Sequence, residues 1–213
     1  MDTERIRELL KPFLDPEELS ADQVALVSTY LDLLLKWNAR MNLTAVRDPE
    51  QIVQRHFGES FFAARHLQAR HPDATSLADL GSGAGFPGLP IKIWDPKLNL
   101  TLIESHQKKA VFLREAIRTL ELEAKDAQVL NARAESLGAD TKADIVTLRA
   151  VESFAQALPA AAGLLNDRGS LIILIGSAQT EMAVSLLPDL SWLAPEPIPL
   201  SKNRVILSGT RKA

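Results

Sequence analysis

The amino-acid sequence predicts an α/β fold, in which helices cover both faces of a mostly parallel β-sheet and a helical segment precedes the sheet. After residue 73, short apolar runs alternate with amphipathic helical patterns, which is typical of parallel strands joined by helices. Before that residue the patterns are helical, with a connecting loop predicted over 38–47. With 213 residues, of which 46% are hydrophobic, the chain is long enough to bury one sizeable core.

The first part of the chain is predicted to form helices. Over residues 22–38, apolar residues recur at three- and four-residue spacing, which gives a helix with one apolar face. A second helix is predicted to begin at Asp48, a residue suited to an N-cap, with Pro49 in the first turn. The sequence therefore predicts two parts, a helical extension over 1–72 and a sheet domain over 73–213.

The sheet domain is predicted to hold seven strands, most of which are followed by a helix. The apolar runs lie at 76–80, 98–104, 126–133, 143–150 and 169–176, with two more within 191–200 and 203–212. No helical pattern separates the last two runs. We therefore expect the final strand to enter the sheet antiparallel to the others.

Composition excludes several classes of function. The chain has no cysteine, so disulfides, thiolate metal sites and cysteine nucleophiles are impossible. The longest aliphatic run, at 171–175, is too short for a membrane helix, and the acidic amino terminus lacks the pattern of a signal peptide. We therefore expect a cytoplasmic protein without metal and, in the absence of any exposed heptad pattern, a monomer. Its net charge of −3 gives no overall attraction to nucleic acid, so such a partner requires a local basic patch.

A glycine-rich stretch follows the first predicted strand. Four of the chain's ten glycines lie within residues 81–88. Glycine allows positive φ angles and lets a ligand approach the backbone, and the first strand's loop holds the ligand in doubly wound sheets. We therefore predict a ligand-binding loop that includes Gly81, Gly83 and Gly85. The alternative is a turn that serves packing alone.

The spacing of this loop bears on the ligand. A dinucleotide-binding motif requires a third glycine where this chain has Phe86, and the lysine of a phosphate-binding P-loop is absent. Asp79, just before the glycines, suits a ligand with positive charge. S-adenosylmethionine carries an ammonium and a sulfonium group and no phosphate, so the pattern favours it over NAD.

Two further strand ends are predicted to contact this ligand. Glu104 ends the second strand about twenty residues after the glycines, where a carboxylate accepts hydrogen bonds from ribose hydroxyls. Its alternative role is that of an exposed strand-end carboxylate. Ala134 and Glu135 follow the third strand, at the position expected for contacts with adenine.

Several longer motifs indicate a family. They are "LLKWNARMNLTAVRDP", "RHFGES", "ADLGSGAGFPGLPIKI", "RAESL" and "LRAVES". With these motifs, the chain from about Leu31 onward resembles the bacterial small-subunit (16S) ribosomal RNA methyltransferase G family, RsmG, also called GidB (glucose-inhibited division protein B). The resemblance implies a Rossmann-like class I S-adenosylmethionine-dependent methyltransferase. It also implies methyl transfer to N7 of one guanosine near the decoding site, with 16S rRNA or the small ribosomal subunit as partner. The implied cofactor contacts are Gly81, Phe86, Ala134, Glu135 and Arg149.

The implied chemistry requires no proton-transferring side chain. Guanine N7 carries an in-plane lone pair and no proton, so the site has only to align N7 with the methyl group and stabilise the developing charge. Arg149 is the one candidate for a catalytic role. The alternative for Arg149 is an ion pair with a neighbouring carboxylate such as Glu152.

Basic residues that contact RNA are predicted mainly in the extension. Residues 36–70 hold six Lys or Arg, two His and three acidic residues, a positive balance within an acidic protein. From this segment we select Arg55 and His56, and we add Arg133 as a phosphate contact and Arg204 near the carboxyl end. The alternative is that these charges form an ordinary solvated surface.

The chain departs from the family pattern at three places. Ile175 replaces an expected lysine after the fifth strand, the family's "SRAF" is "LRAV" at 148–151, and the expected Arg-His pair near the carboxyl end is Arg204 followed by Val205. Two other functions therefore stay open. One is a methyltransferase for a small molecule or a protein, which requires a closed apolar substrate pocket. The other is a cofactor-binding protein that has lost catalysis.

Overall fold

The computed structural model describes residues 1–122, 126–138, 141–150 and 153–212, without the side chain of Ala134. The helices are α1 (Thr3–Leu14), α2 (Ala21–Met41), α3 (Pro49–Ile52), α4 (Glu59–Arg70), α5 (Gly88–Trp94), α6 (Gln107–Thr119), α7 (Phe154–Gly163) and α8 (Thr180–Leu186). The strands are β1 (Ser76–Leu80), β2 (Asn99–Ile103), β3 (Ala127–Leu130), β4 (Ala143–Arg149), β5 (Leu165–Gly176), β6 (Leu190–Trp192), β7 (Glu196–Pro197) and β8 (Arg204–Arg211). No helix within these ranges is long and apolar enough to cross a membrane.

The strands form one sheet in the order β3-β2-β1-β4-β5-β8-β6, and β7 pairs with β8. Strands β1 to β5 are parallel, and β8 runs antiparallel to β5, which confirms the predicted fold class. The described residues form eight strands, one more than the predicted seven. The extra strand is β7, two residues that pair with β8 where β6 has already ended. Prolines cannot donate to a strand ladder, so the proline-rich segment 194–199 keeps this pairing short.

The extension begins with well-capped helices. Ser20 and Gln23 form a reciprocal capping box at α2, and Asp48 caps α3 with Pro49 at its start, as predicted. Between α3 and α4 the chain forms a π-helix, Val53–Gly58, which the sequence pattern did not predict. Such wider turns are rare and occur frequently at functional sites.

Helices of the extension pack directly on the sheet domain. One buried apolar cluster contains residues of both, from Ile6 in α1 to Ile206 in β8. The buried His66 ring on α4 also bonds to the sheet edge, with Nδ1 2.7 Å from Glu196 and Nε2 2.5 Å from Ser208. The division of the chain at residues 72 and 73 stays a prediction.

Candidate active site

The glycine loop between β1 and α5 is held by backbone contacts. The amides of Gly81 and Ser82 both donate to the carbonyl of Ile103 at the end of β2. Gly81, Gly83 and Gly85 have φ angles of +69°, +55° and +86°, which side chains rarely tolerate. A Cβ atom at Gly85 would also collide with the hydroxyl of Tyr30. The glycines are therefore required by the loop's own shape.

The extension braces this loop through α2. The Tyr30 hydroxyl donates to the carbonyl of Ala84, and its ring stacks on Phe86 with centroids 5.3 Å apart and planes 10° apart. The Phe57 ring meets Phe86 edge-on at 5.1 Å. Phe86 is therefore buried among aromatic rings from the extension, an arrangement that fixes one side of the loop.

Asp79 lies beneath the loop and is completely buried. One carboxylate oxygen accepts a hydrogen bond from the Thr147 hydroxyl at 2.8 Å, and the other accepts from the Gly88 amide at 3.3 Å. Burial raises the pKa of Asp79 to about 6, and these hydrogen bonds oppose the rise. In this structure Asp79 joins β1 to β4 and to the start of α5.

Glu104 follows β2, as predicted, and is largely buried. Its Oε2 accepts from the Gly83 amide at 2.9 Å and its Oε1 from the His106 amide at 2.7 Å. A carboxylate oxygen has two acceptor sites, so each oxygen retains one for a ligand. A Cβ atom built at Gly83 lies 3.8 Å from the Gly81 carbonyl oxygen, the nearest atom among the described residues, so the space beside this pair is open.

A cleft of about 450 Å³, here called the strand-end cleft, opens at the carboxyl ends of β1, β2 and β4. Its volume lies within the range of roughly 300–1,000 Å³ that is usual for small-ligand sites. Four residues selected from the sequence line it: Gly81, Glu104, Arg133 and Glu135. Others on its wall were not predicted as ligand contacts, namely Ser105, His106, Lys109, Ala150, Ser153 and Gln156.

Ala134 begins a short 3₁₀-helix, Ala134–Ser136, and its predicted side-chain environment lies outside what the structure describes. The described residues contain no group of three or more His, Asp or Glu side chains that could hold a metal ion. The open space beside Gly83 and the acceptor sites on Glu104 fit S-adenosylmethionine, whose ribose hydroxyls donate hydrogen bonds.

Four further predicted residues, Arg55, His56, Arg149 and Arg204, lie together around Glu59, which was not predicted. We call these five residues the arginine cluster. Arg149 Nη2 donates to the Arg55 carbonyl at 2.8 Å and to His56 Nδ1 at 2.7 Å. It also lies 3.5 Å from Glu59 Oε2, while Glu59 Oε1 pairs with Arg204. The carboxylate partner of Arg149 is therefore Glu59. Glu152, named in the alternative interpretation, lies outside the described residues.

The His56 ring is neutral in this arrangement. Because Nδ1 accepts from Arg149, the proton resides on Nε2, which lies 2.7 Å from the Thr44 hydroxyl and donates to it. Burial, reinforced by Arg149 and Arg55, lowers the pKa of His56 to about 3. Arg55 itself is exposed, so the pair predicted as RNA contacts contains one accessible cation and one half-buried neutral ring.

The predicted basic segment is partly neutralised. Arg65 pairs with Glu17 at 2.7 Å and Arg70 with Glu196 at 3.4 Å.

Ile175 is 5% exposed and belongs to the apolar cluster that also contains Val205 and Ala183. At this position the isoleucine packs in the core.

Sequence reasoning missed Glu59 and Thr44 as members of the site, although both lie within quoted motifs. The buried amide side chain of Asn38 gives one clue. Its oxygen accepts from the Thr44 amide at 2.9 Å, which shapes the loop that carries Thr44 to His56. A polar residue on the apolar face of a predicted helix was the available signal.

The fold and the glycine-loop site define the class of protein: the chain has the fold of the class I S-adenosylmethionine-dependent methyltransferases. Magnesium protoporphyrin IX methyltransferase from Synechocystis PCC 6803, solved with bound S-adenosylmethionine, superposes with a TM-score of 0.66 at 13% identity, covering 86% of this chain and 97% of that one. Ribosomal protein L11 methylase from Lactobacillus delbrueckii subsp. bulgaricus superposes with a TM-score of 0.59 at 14% identity, covering 75% of this chain and 80% of that one.

Sequence comparison identifies the family within this class. Residues 23–188 match the family model GidB, described as rRNA small subunit methyltransferase G. The ribosomal RNA small subunit methyltransferase G of Xanthomonas campestris pv. campestris (strain 8004) is 40% identical over 187 residues, 88% of this chain and 84% of the relative. The ribosomal RNA small subunit methyltransferase G of Xylella fastidiosa (strain 9a5c) is 37% identical over 89% of this chain and 86% of the relative. The chain belongs to this family, as the motifs indicated.

Proposed function

We propose that this protein transfers a methyl group from S-adenosylmethionine to N7 of a guanosine in small-subunit (16S) rRNA, near the decoding site. The observation that carries the proposal is the Gly83–Glu104 pair beside the strand-end cleft, in a chain of this family. The choice of N7 and of the decoding region follows from the family resemblance. The cofactor supplies an electrophilic methyl group on a sulfonium centre.

Residues around the cleft divide into contact and support roles. We assign Glu104 to the ribose hydroxyls, and Gly81, Ala134 and Glu135 to the cofactor contacts implied by the family. Asp79, Gly83, Gly85 and Phe86 act as supports that maintain the shape of the loop, because their described contacts are with the protein itself.

Catalysis in this proposal consists of positioning. The N7 lone pair is available without removal of a proton, so no side chain has to act as a base. Arg149 is held by three groups of the extension and does not line the cleft among the described residues. We therefore assign Arg149 to the RNA side of the site, where its charge favours a polyanion.

RNA recognition is proposed for the cations near the cleft. Arg133 is exposed at its edge, Lys109 lines its wall, and Arg55 and Arg204 belong to the arginine cluster. These charged walls favour RNA over a small apolar substrate. We further propose a monomer acting in the cytoplasm, in which the extension over 1–72 helps to position RNA beside the sheet domain over 73–213.

The decisive experiment is methyl transfer from labelled S-adenosylmethionine to unmodified small subunits and to naked small-subunit rRNA. Chemical cleavage at 7-methylguanosine then maps the product. We expect label at a single guanosine, which would also show that Ile175 is compatible with activity. Intact cofactor binding without label would instead support the alternative of a binding protein that has lost catalysis.

A further inference from the structure

The motif "RHFGES" has a structural explanation that cofactor binding does not require. The Arg55 carbonyl and the His56 ring both accept from Arg149, and the Ser60 hydroxyl donates back to the His56 carbonyl at 2.6 Å. A Cβ atom at Gly58 would lie 2.6 Å from the Phe13 ring, so this glycine lets α1 pack against the π-helix. Together these contacts hold Glu59 at the first position of α4.

Glu59 then links two strands that are not neighbours. Its side chain is 2% exposed and lies between Arg149 at the end of β4 and Arg204 at the start of β8. Burial raises the pKa of the Glu59 carboxyl, and the two arginines oppose this rise. Among the described residues, Glu59 Oε2, Arg149 Nη1 and Arg204 Nε are buried and have no hydrogen-bond partner. Solvent reaches other parts of the two arginine side chains, which are 11% exposed in Arg149 and 30% exposed in Arg204.

The charges of this cluster do not balance. Arg149 and Arg204 share the single carboxylate of Glu59, and His56 is neutral, so the buried part of the cluster carries one positive charge in excess. The exposed Arg55 adds a second positive charge, and the carboxylate of Asp79 also attracts Arg149. Buried ion pairs contribute little to stability compared with apolar packing, because desolvation offsets their attraction. Excess charge on guanidinium groups that are partly exposed is, however, an arrangement that favours binding of phosphate.

We propose that Glu59 is a positioning residue, which holds Arg149 and Arg204 at a fixed separation so that the solvent-exposed parts of their guanidinium groups bind one RNA phosphate beside the target guanosine. This inference rests on the proposed function. It makes the extension a part of the RNA-binding site, since the carboxylate that sets the two arginines comes from α4. Glu59 itself touches neither cofactor nor RNA.

The test is a double-mutant cycle with Glu59→Gln, Arg204→Ala and the combined variant, measured by rRNA methylation and by cofactor affinity. Loss of one charge-assisted contact to phosphate is expected to raise KM for rRNA about tenfold or more in each single variant. The S-adenosylmethionine Kd is expected to stay within about twofold of wild type. Because Glu59 acts partly through Arg204, the combined variant should lose less than the sum of the two single losses.

Glu50→Gln is the matched control, since Glu50 is an exposed carboxylate of the same extension that pairs with Arg5. It should leave KM unchanged. Glu59→Asp keeps the negative charge but moves the carboxylate away from the two arginines, because its side chain is one methylene shorter. It should therefore also raise KM for rRNA. This variant replaces Glu59→Gln in the test if Glu59→Gln does not fold. Wild-type KM in either Glu59 variant, or additive losses in the cycle, would overturn the inference alone. A wild-type protein without rRNA methylation would overturn the proposed function and this inference with it.

Discussion

The glycine loop beside the strand-end cleft contacts the arginine cluster through Phe86, whose ring lies 6.0 Å from Arg149 Cζ. The cleft and the cluster are nevertheless held together in different ways. Around the cleft, backbone amides of Gly81, Ser82 and Gly83 bind acceptors on the neighbouring strand end. In the cluster, side chains from the extension, β4 and β8 bind one another. The first arrangement depends on backbone conformation and the second on charge and protonation.

This difference predicts that the two regions fail separately. A change in loop conformation should abolish cofactor binding whatever the RNA, because the amides lose their positions. A change in the cluster should weaken RNA binding and leave the cofactor bound. The four predictions below run from the largest expected effect to the smallest.

Gly81→Val is expected to abolish S-adenosylmethionine binding in calorimetry. A β-branched residue at φ +69° costs about 1–3 kcal/mol or more and moves the amide that bonds to Ile103. Gly163→Ala is the control, because a Cβ atom there meets no atom within 4 Å among the described residues. Normal affinity in Gly81→Val would argue against the assignment of this loop.

Asp79→Ala is expected to lose cofactor binding and about 1–3 kcal/mol of unfolding free energy, because the Thr147 hydroxyl and the Gly88 amide lose their acceptor. Asp79→Asn should bind the cofactor, since its amide can accept from Gly88 and donate to Thr147. Urea titrations and calorimetry of both variants make the comparison. Unchanged affinity in Asp79→Ala would contradict the supporting role given to this residue.

Stability should fall below pH 6.5 through His56. Its pKa is about 3 in the folded protein against 6.5 for the free side chain, so only the unfolded chain gains a proton as the pH decreases between these values. The lost free energy of unfolding approaches about 1.4 kcal/mol per pH unit. Urea unfolding at pH 7.5, 6 and 5 should show a steeper decline for wild type than for His56→Gln. The same decline of unfolding free energy with pH in wild type and in His56→Gln would show that the pKa of His56 is not lowered by folding.

Arg133→Ala is expected to weaken rRNA binding modestly and equally across sequences. Each contact of an exposed arginine with a phosphate makes the negative slope of log K against log salt concentration steeper by about one unit. The slope for Arg133→Ala should therefore be shallower than that of wild type by about one unit. Binding titrations at several salt concentrations measure the slope. An unchanged slope would leave Arg133 without a phosphate contact.

The predictability of the site follows the same division. Gly81, Glu104 and Glu135, which line the cleft, were selected because short motifs next to strands report local backbone geometry, which recurs at a fixed distance along the chain. Arg149 and Arg204 were selected through the family pattern, but their shared partner Glu59 was counted only as one acid among basic residues. Glu59 precedes the sheet domain in the sequence, and Arg204 lies near its carboxyl end. No periodic pattern in the sequence indicates a contact between residues so far apart along the chain.

The fold was predicted more completely than the site, because hydrophobic periodicity reports strands and helices directly. The π-helix at Val53–Gly58 was missed because its widening arises from tertiary contacts, such as Gly58 against Phe13, that have no helical period. The short strand β7 was missed because its prolines argue against a strand.

The contact of Tyr30 with the glycine loop also bears on the order of events during translation. Tyr30 precedes its hydrogen-bond partner Ala84 by 54 residues, so α2 is synthesised well before the loop on which it packs. Until β1 and the loop emerge, the apolar face of the extension has no sheet to cover. The packing of the first helices can therefore be completed only after the glycine loop has been synthesised.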